Sequence, residues 1–271
     1  MTAFDAYLKR GMKGHLIGIG GVSMSPLAEV LAGAGLTITG SDMAESEKTE
    51  HLKDLGIKIY IGHAEGNVEP DTRFIIRTAA VHDDNPEVRK AHEMGIPVYE
   101  RAQAWGAIMK DYRNALCISG THGKTTTTSM CTHILMAAEK DPTVMIGGTL
   151  PMLKAGHRVG HGETIVLESC EYCDSFLNFF PTIAVVLNIE EDHLDYFTEG
   201  LPAIQRSFRQ FAGAVPENGF VVANLEDKNT MDALKGLDRE IITFGITEEA
   251  DVYAKNITFS GASTTFDVYC F

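Results

Sequence analysis

The 271-residue sequence predicts an α/β protein made of two doubly wound, mainly parallel sheets, the second ending in a small antiparallel appendage. Three observations carry this. Over the first hundred residues, short apolar β-branched runs alternate with helical patterns, as when crossover helices link parallel strands. The alternation restarts at "NALCISG" (114–120), which places a boundary within 108–113 and two domains at 1–110 and 111–271. Finally, each series opens with a strand, a glycine-rich turn and a helix, the turn where such sheets bind ligands.

In the first series, "HLIGIG" (15–20) is a strand ending in glycines, and "SMSPLAEVLAGAG" (23–35) a helix with apolar residues at Leu27, Val30 and Leu31. "LTITGSD" (36–42) is a β-branched strand ending on an acid. "EKTEHLKDLG" (47–56) reads as a helix closed by glycine, and "IKIYIG" (57–62) as a strand. "TRFIIRT" (72–78), "NPEVRKAHEMG" (85–95), "IPVYE" (96–100) and "AQAWGAIMKD" (102–111) continue as strand, helix, strand and closing helix. In the second series, "ALCIS" leads through the glycine loop into the helix "TTTTSMCTHILMAAEK". Strands follow at 164–169, 182–189 and 219–225, with a helix from 201 to 214. The tail segments "ITFG", "DVYAKNITFSG" and "STTFDVYCF" have period 2 and read as the antiparallel appendage. Phe271 falls inside the last of these with no stop signal after it, so the sequence reads as a fragment.

Charge narrows the function. With 37 acidic and 23 basic residues the net charge is −14, a surface that repels phosphate backbones and anionic lipids. Nucleic acid and membrane are therefore poor partners, and no apolar stretch has the length of a span. The five cysteines, an odd number, are scattered as reduced thiols would be, which fits a soluble cytoplasmic protein. A phosphate ligand must then be held by local features.

"GTHGKT" supplies them. Gly120 and Gly123 lie three apart, closer than in the usual G-x-x-x-x-G-K-[ST] loop, yet between a strand and a helix as that chemistry requires. Backbone N–H groups from Gly120, Thr121, His122, Gly123, Lys124, Thr125 and Thr126 face an anion, Lys124 adds a charge, and the Thr125 hydroxyl can reach Mg2+. Two later strand ends add carboxylates and an imidazole. "LESCEYCDSF" carries Glu168, Glu171 and Asp174, and "NIEEDHLDYF" carries Asn188, Glu190, Glu191, Asp192, His193 and Asp195. Glu168 and His193 close apolar runs and point to metal binding. Asp174, Glu191 and Asp195 suit solvated or helix-capping turns. Cys170 and Cys173 have no second Cys/His pair at zinc spacing, so they are read as ordinary side chains.

The first loop, "GIGGVSMS" (18–25), has Asp42 about twenty residues on, like a dinucleotide fingerprint. Ser23 occupies the third glycine position, so a diphosphate cradle fits better than a NAD site. Taken in order, "HLIGIGGVSMSPLAEVL", "GSD", "SGTHGKTTTTSM", "ESCEYCDSF" and "NIEEDHLDYF" resemble the Mur ligase family, nearly end to end.

That resemblance implies a Rossmann-like UDP-binding domain, a P-loop ATPase domain, and a third domain, bringing the amino acid, that has no counterpart in this sequence. It implies an ATP- and Mg2+-dependent ligase of peptidoglycan synthesis, a monomer or homodimer in the cytoplasm. ATP would phosphorylate the lactyl carboxylate of UDP-N-acetylmuramate, and L-alanine would attack the acyl phosphate. By the same likeness Lys124, Glu168 and His193 are catalytic, Thr125, Glu168 and His193 hold metal, and Asn188 joins the loop at ATP. Gly18, Gly20, Gly21, Val22, Ser23 and Met24 would meet the diphosphate, with Ser41, Asp42 and His63 around the uridine. Phe208 stands where several relatives place a carbamoylated lysine, which fits the alanine-adding branch, and "TAAV" (78–81) departs from the serine frequent in relatives. The competing readings are a recycling ligase adding a tripeptide to the same sugar, a non-catalytic UDP-sugar-binding protein, and a nicotinamide dehydrogenase.

Overall fold

The structure, a computed structural model, describes residues 3–78 and 80–270. Ala79, within "TAAV", and Phe271, on which the fragment reading rests, lie outside the described residues. The chain divides into two units, Met1–Asp111 with Pro142–Gly162, and Tyr112–Asp141 with Glu163–Phe271.

The first unit begins with β1 (Lys13–Ile17), α1 (Met24–Gly33), β2 (Thr37–Asp42), α2 (Glu47–Asp54), β3 (Lys58–Ile61), β4 (Phe74–Arg77), α3 (Pro86–Glu93), β5 (Val98–Glu100) and α4 (Arg101–Met109). Its five strands are all parallel, in the order β3-β2-β1-β4-β5. The order reverses at β1, so the loop after β1 stands at the switch point, where open sheets leave a crevice. The helices form for local reasons. In α1, Leu27, Ala28, Val30 and Leu31 recur at helical spacing and are buried. Ser46 opens α2 by a reciprocal bond with Thr49, and Asn85 caps α3, whose first residue is Pro86. Ile17, Val68, Ile75, Val88, Ala91 and Ile96 fuse strand and helix into one core.

The second unit begins with β6 (Asn114–Ser119) and α5 (Lys124–Ala137). The chain then returns to the first unit for a hairpin, β7 (Thr143–Leu150) with β8 (Ala155–Arg158). The sequence reading had no strand there. It continues in the second unit through β9 (Thr164–Glu168), β10 (Ile183–Val186), α6 (Leu201–Gly213), β11 (Phe220–Asn224), α7 (Lys228–Leu234), β12 (Glu240–Gly245), β13 (Val252–Ser260) and β14 (Ser263–Cys270). The strands of this unit run in the order β14-β13-β12-β11-β10-β6-β9. The tail reading needs correction. "ITFG" lies in β12, which joins β11 in parallel, and only β13 with β14 is antiparallel. Strand β10 is also shorter than the apolar run 182–189, because residues 187–189 leave the ladder to line the glycine loop. Phe208, fully buried in α6, packs edge-on to Phe176, which stacks on Phe211 at 4.6 Å. Position 208 is a core position here.

A charge cluster ties β1 and β3 to the segment before β4. Glu69 accepts from Lys13, from Lys58 at 2.9 Å and from the Tyr60 hydroxyl at 2.6 Å, and Asp71 also takes Lys13 at 2.7 Å. Lys13 first, then Tyr60 and Lys58, hold the Glu69 carboxyl down from 4.5 to about 2. A folded-state value below the unfolded one stabilises the fold above the unfolded value, and the gain disappears as pH falls through the folded value. Glu69→Gln should therefore lower Tm at pH 7, and the gap to wild type should close between pH 4.5 and about 2 when melting is followed by circular dichroism. An unchanged gap at low pH would show that the cluster does not act through ionised Glu69.

Candidate functional site

Three adjacent strands of the second unit end together. β6 lies between β9 and β10, with Ile118 beside Glu168 and Ser119 beside Val186. The glycine loop leaves β6 at this point. Its path depends on Gly120 at φ +144° and Gly123 at φ +83°, both in the region that favours glycine. Thr121 N–H donates to the Asn188 carbonyl at 3.0 Å, and His122 N–H to Asn188 Oδ1 at 2.8 Å. Asn188 Nδ2 returns a bond to the His122 carbonyl at 3.1 Å. Thr121 Oγ1 accepts from Glu190 N–H at 2.9 Å. Residues 188–190 thus clamp the loop from the next strand.

Beyond the clamp the chain enters α5, whose N-cap is Gly123 and has no side chain to cap with. The first bond of the turn is Thr127 N–H to the Gly123 carbonyl, so the N–H groups of Lys124, Thr125 and Thr126 precede the helical ladder. Together with the positive end of the helix dipole they offer an anion a place to bind. The threonine run, unfavourable by propensity, is accommodated by hydroxyl bonds to the preceding turn: Thr128 to Lys124 O, Ser129 to Thr125 O and Thr132 to Thr128 O.

The Lys124 ammonium folds over the loop, donating to the carbonyls of Gly120 and Thr121 and to Glu171 at 3.0 Å. Glu171 is only 2% exposed. The sequence reading put this carboxylate in the acidic stretch but gave it no role. Thr125 Oγ1 donates to Glu168 Oε1 at 2.9 Å. His193, at φ +52°, has Nε2 3.9 Å from Glu171, and its ring lies tilted by 40° against Tyr172 with centroids 4.6 Å apart. The three expected metal residues thus divide between Thr125 with Glu168 and His193 with Glu171. Among the described residues no group of three or more His, Cys, Asp or Glu is placed to hold a metal. The donors at Thr125 and Glu168 are hard oxygens, which suit magnesium, an ion that takes most of its ligands from phosphate and water. Exposed Thr126 adds a hydroxyl beside the loop, while His122 lies 3.5 Å from Glu190. The turn acids differ in role. Glu191 accepts Leu201 N–H at the start of α6, Asp195 takes the Tyr172 hydroxyl, and Asp174 joins Tyr196 to Ser207. Cys170 and Cys173 are exposed and not disulfide-bonded.

In the first unit, the turn after β1 is fixed from β2. Gly18 and Ile19 N–H donate to the Ser41 carbonyl, and Gly20 N–H to Asp42 Oδ2 at 2.8 Å. Gly21 N–H closes on Gly18 O. α1 follows with its N-cap Ser23 making no capping bond, since that hydroxyl meets Met145 Sδ at 3.0 Å. Val22 is exposed and Met24 buried. Ser41 is fully buried with its hydroxyl on Glu87, and His63 Nδ1 lies 3.1 Å from the same hydroxyl. The sequence reading named Ser41, Asp42 and His63 but missed Glu87, a carboxylate read as one residue of a helix.

The loop geometry makes a prediction. A Cβ on Gly120 would sit 2.9 Å from Leu187 Cβ and 3.3 Å from Asn188 N, on a φ that L residues rarely adopt. Gly120→Ala should cost about 1–3 kcal/mol of stability by urea titration. A variant as stable as wild type would mean that the loop does not require this backbone.

The chain matches two family profiles, the Mur ligase family catalytic domain over residues 13–113 and the Mur ligase middle domain over 118–271. It is 46% identical to the UDP-N-acetylmuramate–L-alanine ligase of Clostridium novyi, covering 98% of this chain and 58% of that protein. With the same ligase of Caldanaerobacter subterraneus it shares 50% identity, over 94% of this chain and 55% of that one. The chain therefore spans little more than half the length of these relatives. Among solved structures, the UDP-N-acetylmuramate–alanine ligase of Thermotoga maritima superposes with a TM-score of 0.78 at 31% identity, over 95% of this chain and 57% of that one. The UDP-N-acetylmuramate:L-alanyl-γ-D-glutamyl-meso-diaminopimelate ligase of Neisseria meningitides gives 0.82 at 27% identity, over 96% and 84%. Among the described residues no helix is long and apolar enough to cross a membrane. With both profiles matched in sequence order and the strand–loop–helix geometry of each in place, the chain belongs to the Mur ligase family.

Proposed function

We propose that this chain carries the UDP-sugar-binding and ATP-binding parts of a cytoplasmic ligase that joins L-alanine to the lactyl carboxylate of UDP-N-acetylmuramate. The observation that carries the proposal is the uncapped start of α5 behind a glycine loop, with Lys124 folded over it and Thr125 beside Glu168. Residues 1–110 would hold the UDP-sugar and 111–271 the ATP. The curated relatives at 46% and 50% identity are both named for alanine addition, and among the solved structures the alanine ligase is 31% identical and the tripeptide-adding ligase 27%. That difference favours alanine over the recycling reaction.

In the proposed reaction the carboxylate attacks the γ-phosphorus of ATP, ADP leaves, and the alanine amine then displaces phosphate from the acyl phosphate with loss of a proton. The N–H groups at the start of α5 and the Lys124 ammonium hold the β- and γ-phosphates and offset the charge of transfer. Lys124 exchanges its Glu171 contact for phosphate oxygen as the nucleotide enters. Thr125 and Glu168 would hold magnesium, which supplies charge neutralisation across the phosphates. Asn188 fixes the loop from outside. The UDP diphosphate would rest on Gly20, Gly21, Val22 and Ser23 at the start of α1, with Asp42 holding the turn.

The test is calorimetric. Lys124→Ala alone would strand the buried Glu171 carboxylate, so it is combined with Glu171→Gln. The double variant should lose magnesium-ATP binding by at least tenfold and keep wild-type affinity for UDP-N-acetylmuramate, with NAD bound by neither protein. ATP affinity unchanged by the double substitution, or NAD binding in place of the UDP-sugar, would overturn the assignment.

A further inference from the structure

A fully buried carboxylate in the first unit has no part in the chemistry above. Glu87 on α3 is 0% exposed and gathers groups from four other places in the fold. Its Oε1 accepts from Asn67 Nδ2 and from Ala64 N–H. Its Oε2 accepts from the Ser41 hydroxyl of β2 at 2.5 Å, with His63 Nδ1 at 3.4 Å and the buried His15 Nε2 of β1 at 3.6 Å. Burial pushes the carboxyl up, but the bonds from Ser41 and Asn67, with the His15 imidazole nearby, outweigh it, and the group stays ionised, below the usual carboxylate range.

The protons in this chain are determined by counting. An ionised carboxylate only accepts. Ser41 has one hydroxyl proton and gives it to Glu87, so its oxygen is left to accept. His63 Nδ1, 3.1 Å from that oxygen, must therefore carry the ring proton. In the neutral ring Nε2 is then a bare acceptor. It makes no hydrogen bond among the described residues, and the side chain keeps 14% exposure. His63 follows β3 at the carboxyl ends of the strands, and the residue before it, Gly62, bonds to the carbonyl of Asp42, whose carboxylate holds Gly20 of the β1–α1 turn.

We infer that Glu87 is a positioning residue that locks His63 as an Nε2 acceptor, and that this acceptor selects a base presenting a ring N–H, as uracil does and cytosine does not. The inference rests on the proposal that this unit binds a uridine nucleotide. The isosteric change Glu87→Gln makes it sharp. Asn67 and Ala64 both donate to the Oε1 position, so the amide oxygen must stay there and the NH2 takes the place of Oε2. Ser41 would then accept from the amide and donate to His63 Nδ1, and the ring proton moves to Nε2. One atom reverses the polarity of the relay.

Two measurements test this. Long-range 1H–15N NMR on the ligand-free chain, at a pH where His63 is neutral, should show the Nδ1–H form in wild type and the Nε2–H form in Glu87→Gln. Calorimetry should show wild type preferring UDP to CDP by roughly tenfold or more, the effect of one hydrogen bond gained against one lone-pair clash, and Glu87→Gln losing that preference. An Nε2–H form in wild type would overturn the relay whatever binds. Equal affinity for UDP and CDP would overturn the selection step, whereas failure of both to bind would sink the nucleotide reading of the unit and leave the relay to the spectrum. Should Glu87→Gln not fold, the wild-type spectrum and the UDP/CDP ratio of His63→Ala, expected near one, decide the matter.

Discussion

Two of the helix N-termini that lack a side-chain bond at the N-cap, those of α1 and α5, are what the rest of the structure is arranged around. α2, α3 and α7 each begin on a side chain that takes a backbone N–H: Ser46, Asn85 and Asp227. α1 and α5 do not, since Ser23 spends its hydroxyl elsewhere and Gly123 has none. An uncapped N-terminus leaves several N–H groups and about half a positive charge unanswered, a cost that a bound anion removes. Both lie after the first strand of their unit, where the sheet order reverses or three strand ends meet. In a chain of net charge −14, any phosphate affinity has to be local, and these two turns are where the backbone could supply it.

Holding such a turn open requires anchoring from outside it, and each unit does this with the neighbouring strand. Asp42 at the end of β2 takes Gly20 N–H, and Asn188 past β10 takes His122 N–H. Asn188 is anchored in turn, because Ile189 N–H donates to Asp227 and Asn229 donates to the Ile189 carbonyl. Asp227 therefore caps α7 and steadies the clamp with one carboxylate. Buried carboxylates are costly unless donors surround them. Glu171 meets this condition through Lys124, and Glu87 through Ser41, Asn67 and the Ala64 N–H. Removing one partner of such a pair costs several times what a surface ion pair contributes, about 3–5 against less than 1 kcal/mol. These acids are thus fixed points of the fold.

Much of this was legible in the sequence because it is local. A buried strand ending in glycine and followed by a helix is a contiguous pattern, and both turns were read from it. The β7–β8 hairpin was not, because "TVMIGGTL" has glycines in mid-strand and "AGHR" has no β-branched residue. β12 was assigned to the antiparallel tail because period 2 does not reveal strand direction, which is set by α7 lying between β11 and β12. Glu171 and Glu87 were passed over for a related reason. A carboxylate in an acidic loop or on an amphipathic helix looks solvated until the fold delivers donors from 20 to 47 positions away, and that separation is invisible to spacing.

The second unit also shows how strain is held at the site. Cys173, Asp174 and His193 all sit near φ +53°, a region costing of order 1–3 kcal/mol for each such residue. The two segments that carry them are tied to each other by tyrosine–carboxylate bonds in both directions. Tyr172 donates to Asp195 and Tyr196 to Asp174, and Asp174 is held further by Ser207 of α6. The bond to Asp174 pushes the Tyr196 phenol up to about 12, so the donor keeps its proton across the physiological range. This cross-bracing keeps His193 on Tyr172 and within 3.9 Å of Glu171, and Glu171 is the carboxylate that holds Lys124. Lys124, Glu171 and His193 therefore stand in one row reaching from the glycine loop to a strained loop. A phosphate that draws Lys124 away would take from the buried Glu171 the ammonium that holds it, so an anion at the turn has to offset that loss as well as answer the uncapped helix start.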